Sequence, residues 1–278
     1  ECAEGATINK LNGVGKMDIL DNFIENAGKS LKEGYYDVGE SLLAEGAKTK
    51  RVSLRGVLDK NAFSLICEIK HASPAGEYSF DNIDVERAAI AFLENGADAI
   101  SVVVEPKIFK GSLDNVPMAK KAGLPVLFKD FISTEKQINA AHALGADAVL
   151  LVVKVTERTN SDLDSLISYA HEKKLEVLLE CYDRNEMKIA METNADILGI
   201  NNRDLCTLKV DIGRTSRVLE EFADLGRPLI SESGIKTAED ARFVRKAGAK
   251  GVLVGTAIWT ASDLRTKIRE LKAGGADG

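Results

Sequence analysis

The sequence predicts an α/β fold, a (β/α)8 barrel with a helical extension at its N-terminus, and three observations carry that prediction. Short, nearly continuous apolar runs, the kind that form strands buried on both faces, alternate with stretches of helical period. Eight such runs occur, each followed by a helical stretch, and strict alternation implies a parallel sheet. A near-repeat then argues for closure. NGADAISVV (95–103), LGADAVLLV (144–152), TNADILGI (193–200) and AGAKGVLVG (247–255) each lead from a helix end bearing Gly or Asn, residues that tolerate left-handed backbone, through Ala into a strand. They recur about every 50 residues, two βα units apart, and alternate strands fill the same interior layers of a TIM barrel. An open, doubly wound sheet gives no reason for such spacing.

The elements follow in order. From Met17, the segment MDILDNFIENAGKSLKEG places Ile19, Leu20, Phe23, Ile24 and Ala27 at helical spacing, and a second helix is predicted over about 35–47. Strands are predicted at 64–69, 99–104, 125–129, 148–153, 176–180, 197–201, 228–232 and 251–255. Helices are predicted at 84–97, 112–122, 134–144, 162–172, 185–192, 213–222 and 238–247, with a last one near 263–272. The first of these opens on Asp84 and closes on Gly96, a start and a stop signal. Residues 1–16 are Gly-rich and polar, and are expected to form a tail or added extension. Residues 17–278 are expected to form a single catalytic domain, since one barrel needs about 250 residues, although the length also suits two ordinary domains.

Composition narrows the function. Apolar residues make up 45%, enough for a sizeable core, and the net charge of −6 argues against a nucleic-acid partner. An acidic total still permits a local basic cluster that binds an anion. Cys2, Cys67, Cys181 and Cys206 form no CxxC pair, and Cys67 and Cys181 lie in apolar strands where a thiol packs as a small hydrophobe. His71, His142 and His171 have no zinc-like spacing, so no metal is expected. No run approaches the roughly 20 apolar residues of a membrane span. The N-terminus lacks a basic stretch leading into an apolar core, and a cytoplasmic location is expected.

In such barrels the chemistry lies at the C-terminal ends of the strands. Those positions hold Glu68 and Lys70 on the first strand, Lys129 on the third, Glu180 on the fifth, and Asn201 and Arg203 on the sixth. Glu68 and Lys70 are two apart and so share a face. Lysine and glutamate at a strand end are often mere surface residues. Two acids, three fixed cations and an amide from four strands, converging on one mouth, suit an anionic substrate and acid–base work. The seventh strand ends in Ser231, Glu232, Ser233 and Gly234, the eighth in Gly255 and Thr256. Their glycines and small hydroxyls let backbone N–H groups approach a ligand, and a short turn over about 256–259 would aim its N-terminus inward, the usual phosphate cradle of this architecture. No GxxxxGK[ST] occurs, which disfavours a nucleoside triphosphate.

Over roughly residues 17–272 the chain resembles the indole-3-glycerol-phosphate synthases. The resemblance rests on CEIKHASP (67–74), FKGS (109–112), PVLFKDFI (125–132), GADAVLL (145–151), LLECYD (178–183), GINNRDL (199–205), ISESGI (230–235) and VLVGTA (252–257). It implies that the N-terminal helices pack over the barrel mouth. It also implies a small phosphorylated substrate joining anthranilate to a sugar, cyclised with loss of carbon dioxide and water, no cofactor, and the other tryptophan-pathway enzymes as partners. Residue by residue it implies Lys129 as general acid, Lys70 as a contact to the substrate's anionic groups that shares in proton transfer, and Glu180 and Glu68 as the catalytic carboxylates. Asn201, Arg203 and Ser233 would hold the substrate, Ser73 would belong to the Lys-x-x-Ser-Pro loop, and Phe109 would wall the anthranilate pocket. Gly234, Gly255 and Thr256 would form the phosphate loops. His71, Ala75 and Thr256 depart from the residues common in the family. Two rival readings share the barrel: an aldolase using Lys129 or Lys70 as a Schiff base, and a non-catalytic phosphate-binding barrel.

Overall fold

The computed structural model describes residues 17–222 and 224–275, with only the backbone of residues 45 and 46. The expected tail at 1–16 lies outside the described residues. Three helices open the chain: α1 (Ile19–Lys32), α2 (Glu40–Lys48) and α3 (Leu54–Lys60). The alternation follows with β1 (Ser64–Ile69), α4 (Val85–Glu94), β2 (Ala99–Val103), α5 (Asn115–Lys120), β3 (Val126–Lys129), α6 (Glu135–Ala143) and β4 (Ala148–Val152). It continues through α7 (Val153–Thr159), α8 (Leu163–Glu172), β5 (Glu176–Cys181), α9 (Arg184–Met191), β6 (Ile197–Asn201), α10 (Gly213–Leu219) and β7 (Leu229–Glu232). It ends with α11 (Ala238–Lys246), β8 (Gly251–Val254), α12 (Thr256–Trp259) and α13 (Leu264–Gly274). The eight strands are parallel and form a closed barrel, with β8 pairing back to β1 through Ser64↔Gly251 and Cys67↔Val254. The expected barrel and its strand order are therefore observed.

Strand alternation divides the apolar residues into two bodies. Ile66, Ala99, Leu127, Leu150, Leu178, Ile197, Ile230 and Leu253 point inward and form one cluster. Their neighbours Cys67, Ile100, Phe128, Leu151, Leu179, Leu198, Leu229 and Val252 point outward and pack with the surrounding helices. Every residue of β1, β2, β4, β6, β7 and β8 is buried, which explains why the strands read as unbroken apolar runs.

The extension does more than cover the mouth. Leu20 and Phe23 of α1 join the interior cluster from above. Asp18 caps α1 in a reciprocal pair with Asp21, and both carboxylates bind Arg158 of α7 at 2.6 Å. Helix α2 lies against α6 on the outside. Helix α3, which the sequence did not suggest, closes the opposite end of the barrel: Leu54 and Leu58 enter the interior cluster. Its first turn and the segment before it are held by Asp147, just before β4, and Glu176, the first residue of β5. The Val52 N–H donates to Asp147 Oδ1 at 2.8 Å, and the Arg55 N–H to Glu176 Oε2 at 2.9 Å.

Two local readings are corrected. The fourth strand was expected to run to Val153, but the chain turns into α7 there, and Thr156 and Thr159 bond back to Val153 O and Val155 O at 2.8 Å. Its β-branched residues imitate a strand. Of the four near-repeats, Gly96, Gly145 and Gly248 have φ of 100°, 84° and 114°, but Asn194 is not left-handed. There Thr193 makes the turn, its hydroxyl bonding Ala190 O at 2.8 Å and accepting from the Ala195 N–H at 3.3 Å.

Candidate active site

A cavity of about 580 Å³ opens at the C-terminal end of the barrel. Its walls include Glu68, Lys70, Phe109, Lys129, Glu180, Asn201, Arg203, Ser233, Gly234, Gly255 and Thr256, eleven of the twelve residues singled out from the sequence. Most of the charged ones follow one rule. Glu68, Lys129 and Glu180 each lie two residues beyond an inward-facing Ile66, Leu127 or Leu178, so the same alternation that fills the interior turns them into the mouth.

Glu232 obeys the same rule after Ile230; the sequence reading named it as a strand end but gave it no role. It is the nearest partner of Lys129, whose Nζ lies 2.6 Å from Glu232 Oε2 and 3.5 Å from Glu180 Oε2. Partial burial works to lower the Lys129 pKa. Glu232, Glu180 and Glu68 together reverse that and hold the ammonium well above the ordinary lysine range. Burial, opposed by Lys129 and reinforced by Glu180, pushes Glu232 up to about 7. Its second oxygen, Oε1, is buried with no hydrogen-bond partner, and a methyl added at Gly199 would stand 2.5 Å from it.

The remaining polar groups are fixed by one another. Lys70 Nζ is 2.7 Å from Glu68 Oε2. Burial works to raise Glu68, but Lys70, Lys129 and Arg203 outweigh it and hold the carboxyl below the usual range. Asn201 Nδ2 donates to Glu180 Oε1 at 3.0 Å, and its Oδ1 accepts from the Arg203 N–H at 2.9 Å. The Arg203 guanidinium donates to Leu208 O at 3.3 Å and lies 3.6 Å from Glu77.

At the last two loops, Ser233 and Gly234 are both left-handed, with φ of 67° and 83°. Asn202, which points away from the cavity, pins this turn by donating to Ser233 O at 3.0 Å. A methyl at Gly255 would collide with the Glu68 carboxylate. Helix α12 starts at Thr256, as expected, and no side chain caps it, which leaves its first N–H groups for a ligand. Trp259 donates Nε1–H to Glu68 O at 2.7 Å and ties this helix to β1.

The apolar wall is larger than expected. Phe109 meets Phe23 of α1 at 5.6 Å between ring centroids and Phe131 at 6.2 Å, while Phe23 and Phe131 stack at 4.9 Å. Ser73 does not reach the cavity: its hydroxyl bonds the Glu77 carboxylate, and Pro74 lines the wall in its place. His71 is buried with Nε2 3.2 Å from Asn115 Nδ2, and burial draws its pKa below the ordinary range. Ala75 is exposed on the same loop. Among the described residues no group of three or more His, Cys, Asp or Glu side chains is arranged to hold a metal.

Barrel and mouth define an enzyme of the (β/α)8 class with paired lysines and carboxylates for acid–base chemistry. Solved structures of that shape include a 3-hexulose-6-phosphate synthase (TM-score 0.60, 19% identical, covering 77% of this chain and all of that one). A thiamine phosphate pyrophosphorylase from Pyrococcus furiosus is another (TM-score 0.59, 19% identical, covering 80% of this chain and 98% of that one). At such identity they show the fold alone. The sequence is more specific. The chain belongs to the indole-3-glycerol phosphate synthase family, whose model matches residues 21–271. An indole-3-glycerol phosphate synthase of Bacillus cereus is 39% identical over 259 residues, covering 91% of this chain and 98% of that protein. One of Bacillus anthracis is 38% identical with the same coverage.

Proposed function

We propose that the protein is an indole-3-glycerol phosphate synthase: a carboxy-lyase that closes the indole ring of 1-(2-carboxyphenylamino)-1-deoxyribulose 5-phosphate in tryptophan biosynthesis. The observation that carries the reading is Lys129, a half-buried ammonium kept protonated by Glu232 and Glu180 and facing a cavity with an aromatic wall on one side and small-residue loops on the other.

The chemistry follows from that placement. The aromatic ring packs among Phe23, Phe109 and Phe131, and the phosphate rests on the loops of Gly234, Gly255 and Thr256. Lys70 and Arg203 contact the anionic groups, and Asn201 and Ser233 hold the polar chain between. The ring carbon bearing the carboxylate attacks the ketone carbon, and Lys129 gives its proton to the ketone oxygen. Acid catalysis of this kind is worth about 10²–10⁴-fold. Glu180, fixed by Asn201, stabilises the iminium-like nitrogen. Carbon dioxide leaves, its bonding electrons restoring the aromatic ring; Lys70 then gives a proton to the new hydroxyl, which departs as water while Glu68 or Glu180 takes the proton from the adjacent sugar carbon and the ring's new double bond forms. Glu232, pushed up to about 7 and 2.6 Å from Lys129, lies close enough to pass a proton from solvent back to it. A lysine that must attack a carbonyl needs its pKa depressed. That of Lys129 is raised, which weighs against an aldolase.

The reading carries with it one catalytic domain over the described residues, a cytoplasmic location, and the other enzymes of tryptophan biosynthesis as its neighbours. Its test is a fluorescence assay for indole formation from that substrate. Turnover is expected. Binding without turnover would leave a phosphate-binding barrel, and a borohydride-trapped lysine adduct would leave an aldolase.

A further inference from the structure

We propose that Glu105 is a positioning residue of the reaction: its carboxylate sets the backbone that carries Phe109, and so aligns the aromatic wall on which the substrate's anthranilate ring packs. The inference rests on the reading of the mouth given above and adds a residue that the acid–base set leaves unused. Glu105 stands two residues past the end of β2, borders the cavity and is fully buried. A buried carboxylate is costly unless its oxygens are bonded. Here the partners are backbone N–H groups of its own loop. Oε1 accepts from Lys107 at 2.9 Å, and Oε2 accepts from Ile108 at 2.7 Å and from Phe109 at 3.0 Å.

The loop is closed on the same residue. The Gly111 N–H donates to Glu105 O at 2.8 Å, so the N–H groups of Lys107, Ile108, Phe109 and Gly111 all end on one glutamate. A methyl at Gly111 would stand 2.5 Å from Val103 O, so the chain folds back tightly on the end of β2. On either side of the loop the chain is held separately: the Tyr35 hydroxyl donates to Val104 O at 2.9 Å and accepts from the Leu113 N–H at 3.1 Å. What the carboxylate fixes is therefore the tip, and the tip presents the Phe109 ring to Phe23 at 5.6 Å and to Phe131 at 6.2 Å. A neutral amide cannot replace it. Three converging N–H groups need an acceptor on both oxygens, and bonds to a charged acceptor are about twice as strong as neutral ones. Placement of this kind matters in a reacting site, where a shift of about 1 Å can cost about 100-fold.

Glu105→Gln is the near-isosteric probe, because its amide sets a donor against at least one of the three N–H groups. Anthranilate as a competitive inhibitor reads the ring end of the site, and inorganic phosphate reads the other. In the variant the inhibition constant for anthranilate and the KM should both rise by about ten- to a hundred-fold, the worth of a hydrogen bond to a charged acceptor. The kcat should fall less, and phosphate inhibition should not change. A double-mutant cycle decides whether Phe109 is the route. In a Phe109→Ala background Glu105→Gln should weaken anthranilate no further, because the ring through which it acts is gone. Additive effects of the two substitutions overturn the proposal. A fall in melting temperature with unchanged anthranilate inhibition makes the carboxylate a brace for the loop alone and overturns it too. If Glu105→Gln does not fold, Glu105→Asp, which keeps the charge and shortens its reach, carries the same cycle with the same outcomes. A wild type that neither turns over the substrate nor responds to anthranilate defeats the reading of the mouth, and this inference falls with it.

Discussion

Lys129→Met removes one charge while keeping most of the side chain's volume, and its consequences can be worked out at two levels. Loss of the general acid should lower kcat by about 10²–10⁴-fold, or roughly 3–5 kcal/mol of transition-state stabilisation. The second consequence is a pH-dependent stability. In the wild type Glu232 is pushed up to about 7, even though Lys129 pulls the other way. Without Lys129 it rises further. A carboxyl whose folded pKa exceeds its unfolded one binds an extra proton when folded, so stability falls as pH climbs between the two values. For the wild type that window closes near 7; for the variant it stays open above 7. The cost of Lys129→Met should therefore be flat below pH 7 and grow by about 1.4 kcal/mol per pH unit above it, until the variant's carboxyl ionises. In a chain of this size, 1 kcal/mol moves Tm by about 2–4 °C. Thermal unfolding of both proteins at pH 6, 7 and 8 gives the comparison, beside the fluorescence assay. Near-wild-type turnover would remove Lys129 from the acid role. A Tm gap that is constant across the three pH values would mean that Glu232 is not the group left unpaired.

Three further changes probe the walls. Phe23→Ala takes away the ring that stacks on Phe131 at 4.9 Å, and should raise KM at least ten-fold with a smaller change in kcat; equal KM values would detach α1 from substrate binding. Gly255→Ala drives a methyl into the Glu68 carboxylate, and overpacking of this kind costs about 1–3 kcal/mol. Its kcat/KM should fall by orders of magnitude, so an active variant with wild-type Tm would refute the close packing. Tyr36→Phe removes a 2.5 Å donor to Asp130, a carboxyl that burial pushes up to about 6. The variant should unfold about 1–3 kcal/mol more easily at pH 8 and little more easily at pH 5, where Asp130 is protonated; equal losses at both pH values would contradict the pairing.

Strand parity made most of the site legible. Glu68 and Lys70 share a face because they are two apart, and their 2.7 Å contact follows from it. The same parity could have given Glu232, two residues beyond Ile230, its role. Three polar residues in a row hid it, since Ser231 faces outward to Asn202 at 2.9 Å while Ser233 sits in the turn. Ser73 failed in the other direction: a loop residue has no period to fix its aim, and its hydroxyl went to Glu77. Phe23 was legible only as a helix face, because its ring partners Phe109 and Phe131 lie far along the chain and no local pattern links them. Helix α3 was missed because its seven residues are too few to show a period and two apolar anchors, Leu54 and Leu58, hold it. What escaped the sequence was tertiary: which polar strand-end residue meets which, and what closes each end of the barrel.

The mouth also poses an electrostatic problem that the substrate must solve. Lys70, Lys129 and Arg203 are set against Glu68, Glu180 and Glu232, so the ring is close to neutral when every group is charged. The substrate adds a phosphate dianion and a benzoate in low dielectric, where uncompensated charge is expensive. Backbone N–H groups absorb part of that cost. A proton taken up from solvent would absorb more, and Glu232 is the acceptor best placed, since its pKa of about 7 rises further when anions arrive. Binding should then be coupled to proton uptake. Calorimetric titration at pH 8 with the substrate whose ketone has been reduced to an alcohol, run in two buffers of different ionisation enthalpy, measures the protons exchanged. Uptake close to one proton is expected, and Glu232→Gln should abolish it. No dependence on buffer would mean that the three cations and the loops carry the anion unaided. Equal uptake in the variant would move the proton to Glu180 or Glu68, and with it the group that reloads Lys129.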